Sequence, residues 1–415
     1  MRIRLKYFFL CLTCILYMGN VYGQKKDISA AKDILKSGKN LDAAQQSMEK
    51  LLADSANRQN KKIWVVLYDV LRKEYEDGNE KLYLKEQFDT TDLFMKTKRL
   101  FEVANSLDSL EMLSNKDDNG KAKFKFRDDH AAYLNMIRPN LYNGGLFFIN
   151  KQNYKDAYNF LTDYINTARQ PLFEKYKYSD KDRRLPIAAY WAVYCGYKMK
   201  DPMATLHHSY LALKDTAHYV YMLQYLAETY RLEGDTTRYF STLKEGFSKY
   251  PSFPYFFPRL VDYDVKRGDY KTALATTNEA LSKNPKSLIY RFTKSTLLLN
   301  TQQYKACILI CDSILEETKA VPKDSLRPRR AVTGSYLNAG LAYFNQAVEL
   351  DKKVSPTRQD RQRMLECYRK ALPYLVHYRE LVPDDKSKWG FPLYTIYLNL
   401  NMGKEFDEID QLLEK

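Results

Sequence analysis

The stretch PYFFPRLVDYDVKRGDYKTALATTNEALSKNP, residues 254–285, decides the fold of this 415-residue chain. Phe257, Leu260 and Val261 form an apolar ladder, Lys266-Arg267-Gly268-Asp269-Tyr270 interrupts it, Ala273 and Ala280 start a second face, and Pro285 closes it. Steps of three, four and seven residues collect side chains on one side of a helix. Gly268 can end the first helix in a left-handed conformation that other residues avoid. Pro285 ends the second, because the residue before a proline is disfavoured in a helix. Small Ala273 and Ala280 let two helices approach closely. The block reads helix, turn, helix, stop.

The same block recurs with a 34-residue step. Gly234 pairs with Gly268, Pro251 with Pro285, and Tyr270 with Tyr304. One step back gives Leu223, Leu226, Ala227, Tyr230, Gly234, Leu243, Gly246 and Pro251, and two steps back give Ala189, Ala192, Val193, Asp201, Thr205, Ser209 and Ala212. One step forward gives Leu298, Tyr304, Cys307, Cys311 and Ile314. A period of this length marks stacked two-helix units, none of which can bury its apolar face alone. The pattern resembles the tetratricopeptide repeat, with its large apolar, small, Tyr, Gly, Tyr, Ala, aromatic, Ala and Pro residues at fixed offsets. The resemblance implies an all-α chain, an α-solenoid of helix-turn-helix pairs wound into a right-handed superhelix.

It covers most of residues 27–415, most fully over 186–318 and least over 75–135. Outside the central run the phase survives with insertions. Tyr154, Ala157, Leu161 and Tyr164 close a unit opening near Arg138, and extra residues near 169–185 separate it from the next. Tyr336, Gly340 and Tyr343 open another, whose second helix reads Tyr368, Ala371, Leu375 and Tyr378 after a charged insertion near 351–363. Leu393, Ile396, Tyr397, Leu400, Gly403, Phe406 and Leu413 supply a final pair. The expected organisation is a leader over 1–23, an N-terminal helical region of degenerate repeats over 24–114, a charged linker over 115–129, and the solenoid over 130–415. Long alternating runs of Val, Ile and Thr, the mark of strands, are absent.

Arg2, Arg4 and Lys6 precede an apolar run from Tyr7 to Tyr17, followed by Gly19, Asn20, Val21, Tyr22 and Gly23. This is the pattern of a secretory signal peptide, with cleavage after Gly23 leaving no membrane-spanning segment. The run is shorter than the roughly 17–25 apolar residues that span a bilayer; an uncleaved anchor is the alternative. Cys11 and Cys14 lie inside the run, so a lipidated N-terminus is not favoured. The resemblance is thus to an exported, periplasmic repeat protein of Gram-negative type.

The chain carries 66 basic and 51 acidic residues, and removing 1–23 takes away three bases and no acid, leaving about +12. Such an excess would favour nucleic acid in a cytosolic protein, but export and the mixing of signs, as in Lys181-Asp182-Arg183-Arg184, argue against that partner. An anionic glycan or envelope polymer is compatible with the charge. Cys195, Cys307, Cys311 and Cys367 would remain. Their even number permits disulfides in an oxidising compartment, yet Cys307 and Cys311 lie four apart on one helical face, where packing accounts for them.

No catalytic spacing stands out, and neither a cofactor nor a metal is expected. Gly144-Gly145 falls where the repeat places its smallest residues, not in a phosphate-binding loop. His207-His208 is the best metal candidate, but neighbours on a helix point about 100 degrees apart. Enzyme activity, such as a hydrolase, is the minority reading. Binding is favoured instead, because the chain holds 35 tyrosines, a residue enriched at interfaces. Tyr230, Tyr270, Tyr304 and Tyr343 stand at signature positions that the family uses for packing between helices. The resemblance points other residues into a concave groove: Tyr142, Tyr190, Tyr194, Tyr197, Tyr221, Tyr225, Tyr255 and Phe292, with Gln224, Glu228, Arg231 and Arg259.

The family's clamp for a C-terminal carboxylate uses Lys and Asn on successive first helices. Here Tyr190, Tyr194, Tyr225, Tyr255 and Arg259 occupy those places, so that ligand is not implied. The expected function is a non-enzymatic scaffold or adaptor that binds a protein or peptide of the cell envelope. Glycan binding on the tyrosines is the alternative, as in exported starch-utilisation proteins that embed similar repeats.

Overall fold

The chain is an all-α solenoid. A computed structural model describes residues 24–114, 116, 118, 120, 122–319 and 326–413, the side chains of 326–329 excepted. The expected signal segment, 1–23, lies outside the described residues. Among these there is no strand, only one isolated antiparallel bridge between Lys116 and Ala122.

Two compact units follow one another, the first ending at Tyr239 and the second beginning at Phe240. The first contains α1 (24–37), α2 (Leu41–Ala53), α3 (Lys61–Tyr83), α4 (Thr90–Ser114), α5 (Arg127–Ile137), α6 (Pro139–Asn150), α7 (Tyr154–Asn166), the short α8 (Tyr178–Lys181), α9 (Leu185–Met199), α10 (Pro202–His207), α11 (Ser209–Ala212) and α12 (Tyr219–Leu232). The boundary falls within α13 (Thr236–Lys249). The second unit continues with α14 (Phe256–Lys266), α15 (Tyr270–Lys283), α16 (Leu288–Asn300), α17 (Tyr304–Thr318), α18 (Leu326–Asp351), α19 (Arg358–Leu381), α20 (Lys386–Asn399) and α21 (Gly403–Leu413). A first helix packs on its own partner and on the next first helix, as α16 does on α17 and α18, and α18 on α19 and α20. That contact pattern covers α16 and α18 from two sides and is the mark of a stacked repeat.

The 34-residue pitch is visible in the helix ends. α12, α14 and α16 finish at Leu232, Lys266 and Asn300, and their partners begin at Thr236, Tyr270 and Tyr304. Each turn uses one left-handed residue: Gly234 at φ 73 and Gly268 at φ 74, but also Lys200 at φ 56 and Gln302 at φ 59, one step to either side. The next amide reaches back to the helix end, Asp235 to Tyr230 at 2.9 Å, Asp269 to Asp264 at 2.9 Å, Asp201 to Gly196 at 3.0 Å and Gln303 to Leu298 at 2.8 Å. This is the Schellman closure, which satisfies carbonyls left open at a helix C-terminus. The same residue then starts the next helix, the carboxylates of Asp201, Asp235 and Asp269 accepting from the amides of Ala204, Arg238 and Thr272.

Close helix approach rests on small residues, as expected. A Cβ on Gly144 would sit 2.8 Å from the Phe160 ring, one on Gly145 2.6 Å from Leu161, and one on Gly340 2.7 Å from Leu375. Cys307 and Cys311 are buried with Leu298, Ala339 and Ala342, and Cys195, Cys307, Cys311 and Cys367 are all free thiols.

Four regions depart from the regular pitch. Within the degenerate region 24–114, α3 and α4 are 23 and 25 residues long, nearly twice the helices of the regular units. The described part of 115–129 is held to α4: Glu111 accepts from the amides of Lys125 and Phe126 at 3.0 and 3.2 Å, and Arg127 makes two bonds to Asp108 at 2.6 and 2.7 Å. Because α4 also packs on α5 and α6, burial continues past this segment, and the division between units comes later, in α13. The insertion near 169–185 is a short 3-10 turn followed by α8, which bury Leu172, Phe173 and Tyr178. The one near 351–363 is a loop over 352–357 followed by the first turns of α19, whose start is a capping box of Thr357 and Asp360.

Candidate functional site

Nine of the twelve expected groove residues belong to the first unit, on α6, α9 and α12. Their rings gather around Tyr225. Tyr197 stacks on it at 4.5 Å between centroids, and Tyr194 and Tyr190 approach at 5.9 and 6.2 Å. Tyr190 in turn stacks on His218 at 4.2 Å, and Trp191 meets Tyr194 edge-on at 5.7 Å. Asp215 Oδ2 lies 2.6 Å from His218 Nδ1 and orients that ring. The α9 residues 190, 194 and 197 share one helical face by their spacing of four and three, and α12 packs against it.

This packing corrects the sequence reading at its centre. Tyr190 and Tyr225 are only 4% and 7% exposed, so they are core residues between helices and not the wall of an open groove. Burial raises the Tyr225 phenol far above its ordinary range, helped by the neighbouring Tyr190 hydroxyl, and burial raises that of Tyr190 as well. Both stay protonated and neutral. Tyr142, Tyr194, Tyr197, Gln224 and Glu228 are half-buried, whereas Tyr221 and Arg231 are exposed. Tyr142 leans on Tyr164 at 5.7 Å.

In the second unit, Tyr255 is also buried, beneath the Arg259 guanidinium at 3.7 Å. Arg259 also donates to the Tyr255 carbonyl at 3.1 Å, so the two form a local stacked pair within one turn. Phe292 is half-buried, its ring pressed onto Gly334, which has no room for a Cβ. These three are packing residues too. Of the four signature tyrosines, Tyr304 is buried, with its hydroxyl donating to Glu349 at 2.9 Å, while Tyr230, Tyr270 and Tyr343 are half-buried.

Open beside the tyrosine cluster is a cleft of about 330 Å³ where α9 ends and α10 begins, closed on the other side by the C-terminal turn of α12. Tyr197, Glu228 and Arg231 line it, joined by Lys198, Lys200, Asp201, Pro202, Thr205, Thr229 and Leu232. Arg231 and Glu228 are paired at 2.7 Å. The left-handed Lys200 turns the chain here, and Gly196 lets the backbone of α10 at Thr205 come into contact with α9. The cleft therefore offers an aromatic face, two ammonium groups and an ion pair that a ligand can compete for. Lys198, Lys200 and Asp201 were invisible as site residues in the sequence, because as charged turn residues they read as solvated.

His207 and His208 stack at 4.2 Å with rings 14° apart, since α10 ends between them and they do not follow helical geometry. One nitrogen of each ring meets a hydroxyl, His207 Nδ1 with Tyr158 at 3.0 Å and His208 Nε2 with Thr162 at 3.1 Å. Burial lowers His208 to about 4. Among the described residues no group of three or more His, Cys, Asp or Glu is placed to hold a metal, and no helix is long and apolar enough to cross a membrane.

No protein-family model matches the chain, and no curated protein does. Among solved structures it is similar to a TPR-repeats protein of Bacteroides fragilis, at 14% identity over 66% of this chain and 98% of the other, with a TM-score of 0.28. It is similar to an IFIT1 monomeric mutant with m7Gppp-AAAA at 16% identity over 82% and 73%, TM-score 0.36. Yeast Tom70 is similar at 13% identity over 94% and 91%, TM-score 0.29. The all-α repeat assignment rests on the helix pairs and turns of the chain itself.

Proposed function

We propose that the chain is a non-enzymatic scaffold that binds a protein or peptide, and that it works in the periplasm or cell envelope. One observation carries the reading: the cleft of Tyr197, Lys198, Lys200, Glu228 and Arg231 is built on helix ends and presents mixed aromatic and charged groups. Such a surface recognises polypeptide side chains and termini by stacking and exchange of ion pairs. The leader-like sequence of residues 1–23 supports the compartment.

A sugar ring needs an open aromatic face. Tyr190 and Tyr225 offer none, so the glycan alternative would have to use Tyr197 and Tyr221. The test is a crosslinking pull-down from envelope extract with the full chain, an Arg231→Glu variant and a Tyr197→Ala variant, beside a glycan array. A partner enriched by the wild type and lost in both variants supports the scaffold; retention of a defined oligosaccharide with no enriched protein would overturn it.

A further inference from the structure

A second cleft, of about 490 Å³, opens in the first unit between α3 and the bend joining α5 to α6. Tyr75, Glu76, Asn79, Glu80 and Tyr83 line it from successive turns of α3, and Tyr133, Met136, Ile137 and Asn140 face them. We infer that this cleft docks a basic polypeptide segment in which a lysine or arginine stands beside an apolar side chain. The inference rests on the protein-binding reading but uses none of the residues of the α9–α12 cleft.

Three observations converge. The rim carries two large side chains held out in water, Tyr83 at 84% and Met136 at 67% exposure. On a folded surface, adjacent exposed apolar groups around a concavity mark an interaction site more often than singly scattered ones do. Two phenols form part of the floor: the Tyr75 hydroxyl is held by Asn140 at 2.8 Å, and the Tyr133 hydroxyl is buried next to Glu76. The carboxylate beside it, Glu76, is engaged by Arg72 at 2.9 Å, and Arg72 also lies 4.1 Å over the Tyr133 ring.

Charge selects the occupant. The only ionisable side chains among the lining residues besides the tyrosines are Glu76 and Glu80, in a chain whose net charge is +15. The cations on this stretch of α3 are occupied elsewhere, Lys73 with Asp77 at 2.9 Å and Lys81 over the Phe88 ring at 5.9 Å. Glu80 is exposed, and among the described residues it forms no ion pair within 4 Å. An acidic segment would be repelled, and a purely apolar one would desolvate Glu80 without compensation. A cation can pair with Glu80 and lie over the exposed Tyr83 ring, and an adjoining aliphatic group covers Met136 and Ile137.

The probe is a fluorescein-labelled hexapeptide of alternating arginine and leucine, compared with versions carrying citrulline or glutamate in place of arginine, titrated by anisotropy against the full chain. Binding of the arginine peptide is expected to exceed that of both controls, to weaken with salt, and to fall about 10-fold in Glu80→Lys through charge reversal. It should fall severalfold in Tyr83→Ser and be unchanged in Arg231→Glu. Glu80 and Tyr83 are both exposed, so these variants are expected to fold, and circular dichroism checks that they do. Equal binding of the three peptides, or arginine-peptide binding that survives both Glu80→Lys and Tyr83→Ser, overturns the assignment. Sedimentation showing self-association abolished by Glu80→Lys would assign the cleft to a second copy and likewise overturn it. Capture of a partner through Arg231 with no peptide discrimination here rejects this cleft and leaves the scaffold standing.

Discussion

Arg138 and Asp182 form a buried ion pair at 2.7 Å, with the guanidinium held between the rings of Tyr164 and Tyr178 at 3.9 Å from each. Arg138 also donates to the Thr167 hydroxyl at 2.7 Å, and Tyr164 donates to Asp182 at 2.7 Å. The pair closes the insertion near 169–185 back onto the start of the α6–α7 unit. Asp182 sits below the ordinary carboxylate range: burial alone would raise it, but bonds from Tyr164, the Arg184 amide and Arg138 outweigh that. Asp182→Ala leaves a buried cation unpaired and should cost about 3–5 kcal/mol. Urea denaturation measures the loss, and Arg138→Lys, which keeps the charge but not the planar stacking, should fall between wild type and Asp182→Ala.

Turn geometry makes a paired prediction. Gly268→Ala forces a side chain into the left-handed region and should destabilise by about 1–2 kcal/mol. Gln302→Gly occupies the equivalent position one repeat later, already left-handed, and should stabilise by about 0.5 kcal/mol once the greater freedom of the unfolded glycine is subtracted. Opposite signs in thermal melts at equivalent positions are the expected result; a loss at both would contradict the turn assignment.

The tyrosine cluster separates packing from binding. Tyr225→Ala removes a ring 7% exposed and should cost about 3–5 kcal/mol, whereas exposed Tyr221→Ala should change stability by under about 0.5 kcal/mol. Tyr225→Phe, which loses only the hydroxyl, should cost about 1 kcal/mol. Chemical denaturation of the three variants orders them.

His130 controls part of the acid response. It stacks on Tyr68 at 3.8 Å and on Phe126 at 5.6 Å, and burial lowers it from 6.5 to about 4. A folded-state value below the unfolded one means that the unfolded chain binds the proton first. Stability from this group is therefore full above pH 6.5 and is lost as pH falls from there through about 4. His208, also lowered to about 4, acts in the same direction. Glu74, which burial pushes up to about 7 against the opposing bond from Lys96, acts in the opposite sense, favouring the folded state as pH falls from 7 to 4.5. His130→Phe keeps the stack and should flatten the loss between pH 6.5 and 4 by a few kcal/mol, read from urea midpoints across that range.

Residues 186–318 announced their own architecture. Apolar spacing, the Gly-Asp turn and the closing prolines are local signals, and each helix end obeys them because capping and periodicity act within a few residues. The pitch and the close approaches at Gly144 and Gly145 follow from sequence alone. What only the tertiary structure decided is which faces stay open. A helical face names the side on which Tyr190, Tyr225, Tyr255 and Phe292 lie, but whether a ring meets water depends on the neighbour that stacking brings against it. Here α12 covers Tyr190 and Gly334 receives Phe292. The left-handed Lys200 and Gln302 were hidden for a related reason: closing a helix onto its packed partner imposes that conformation on whatever residue occupies the turn. The two clefts sit beside the Lys200 turn and at the end of α3, where charged and aromatic residues far apart in the chain meet only once the helices are stacked.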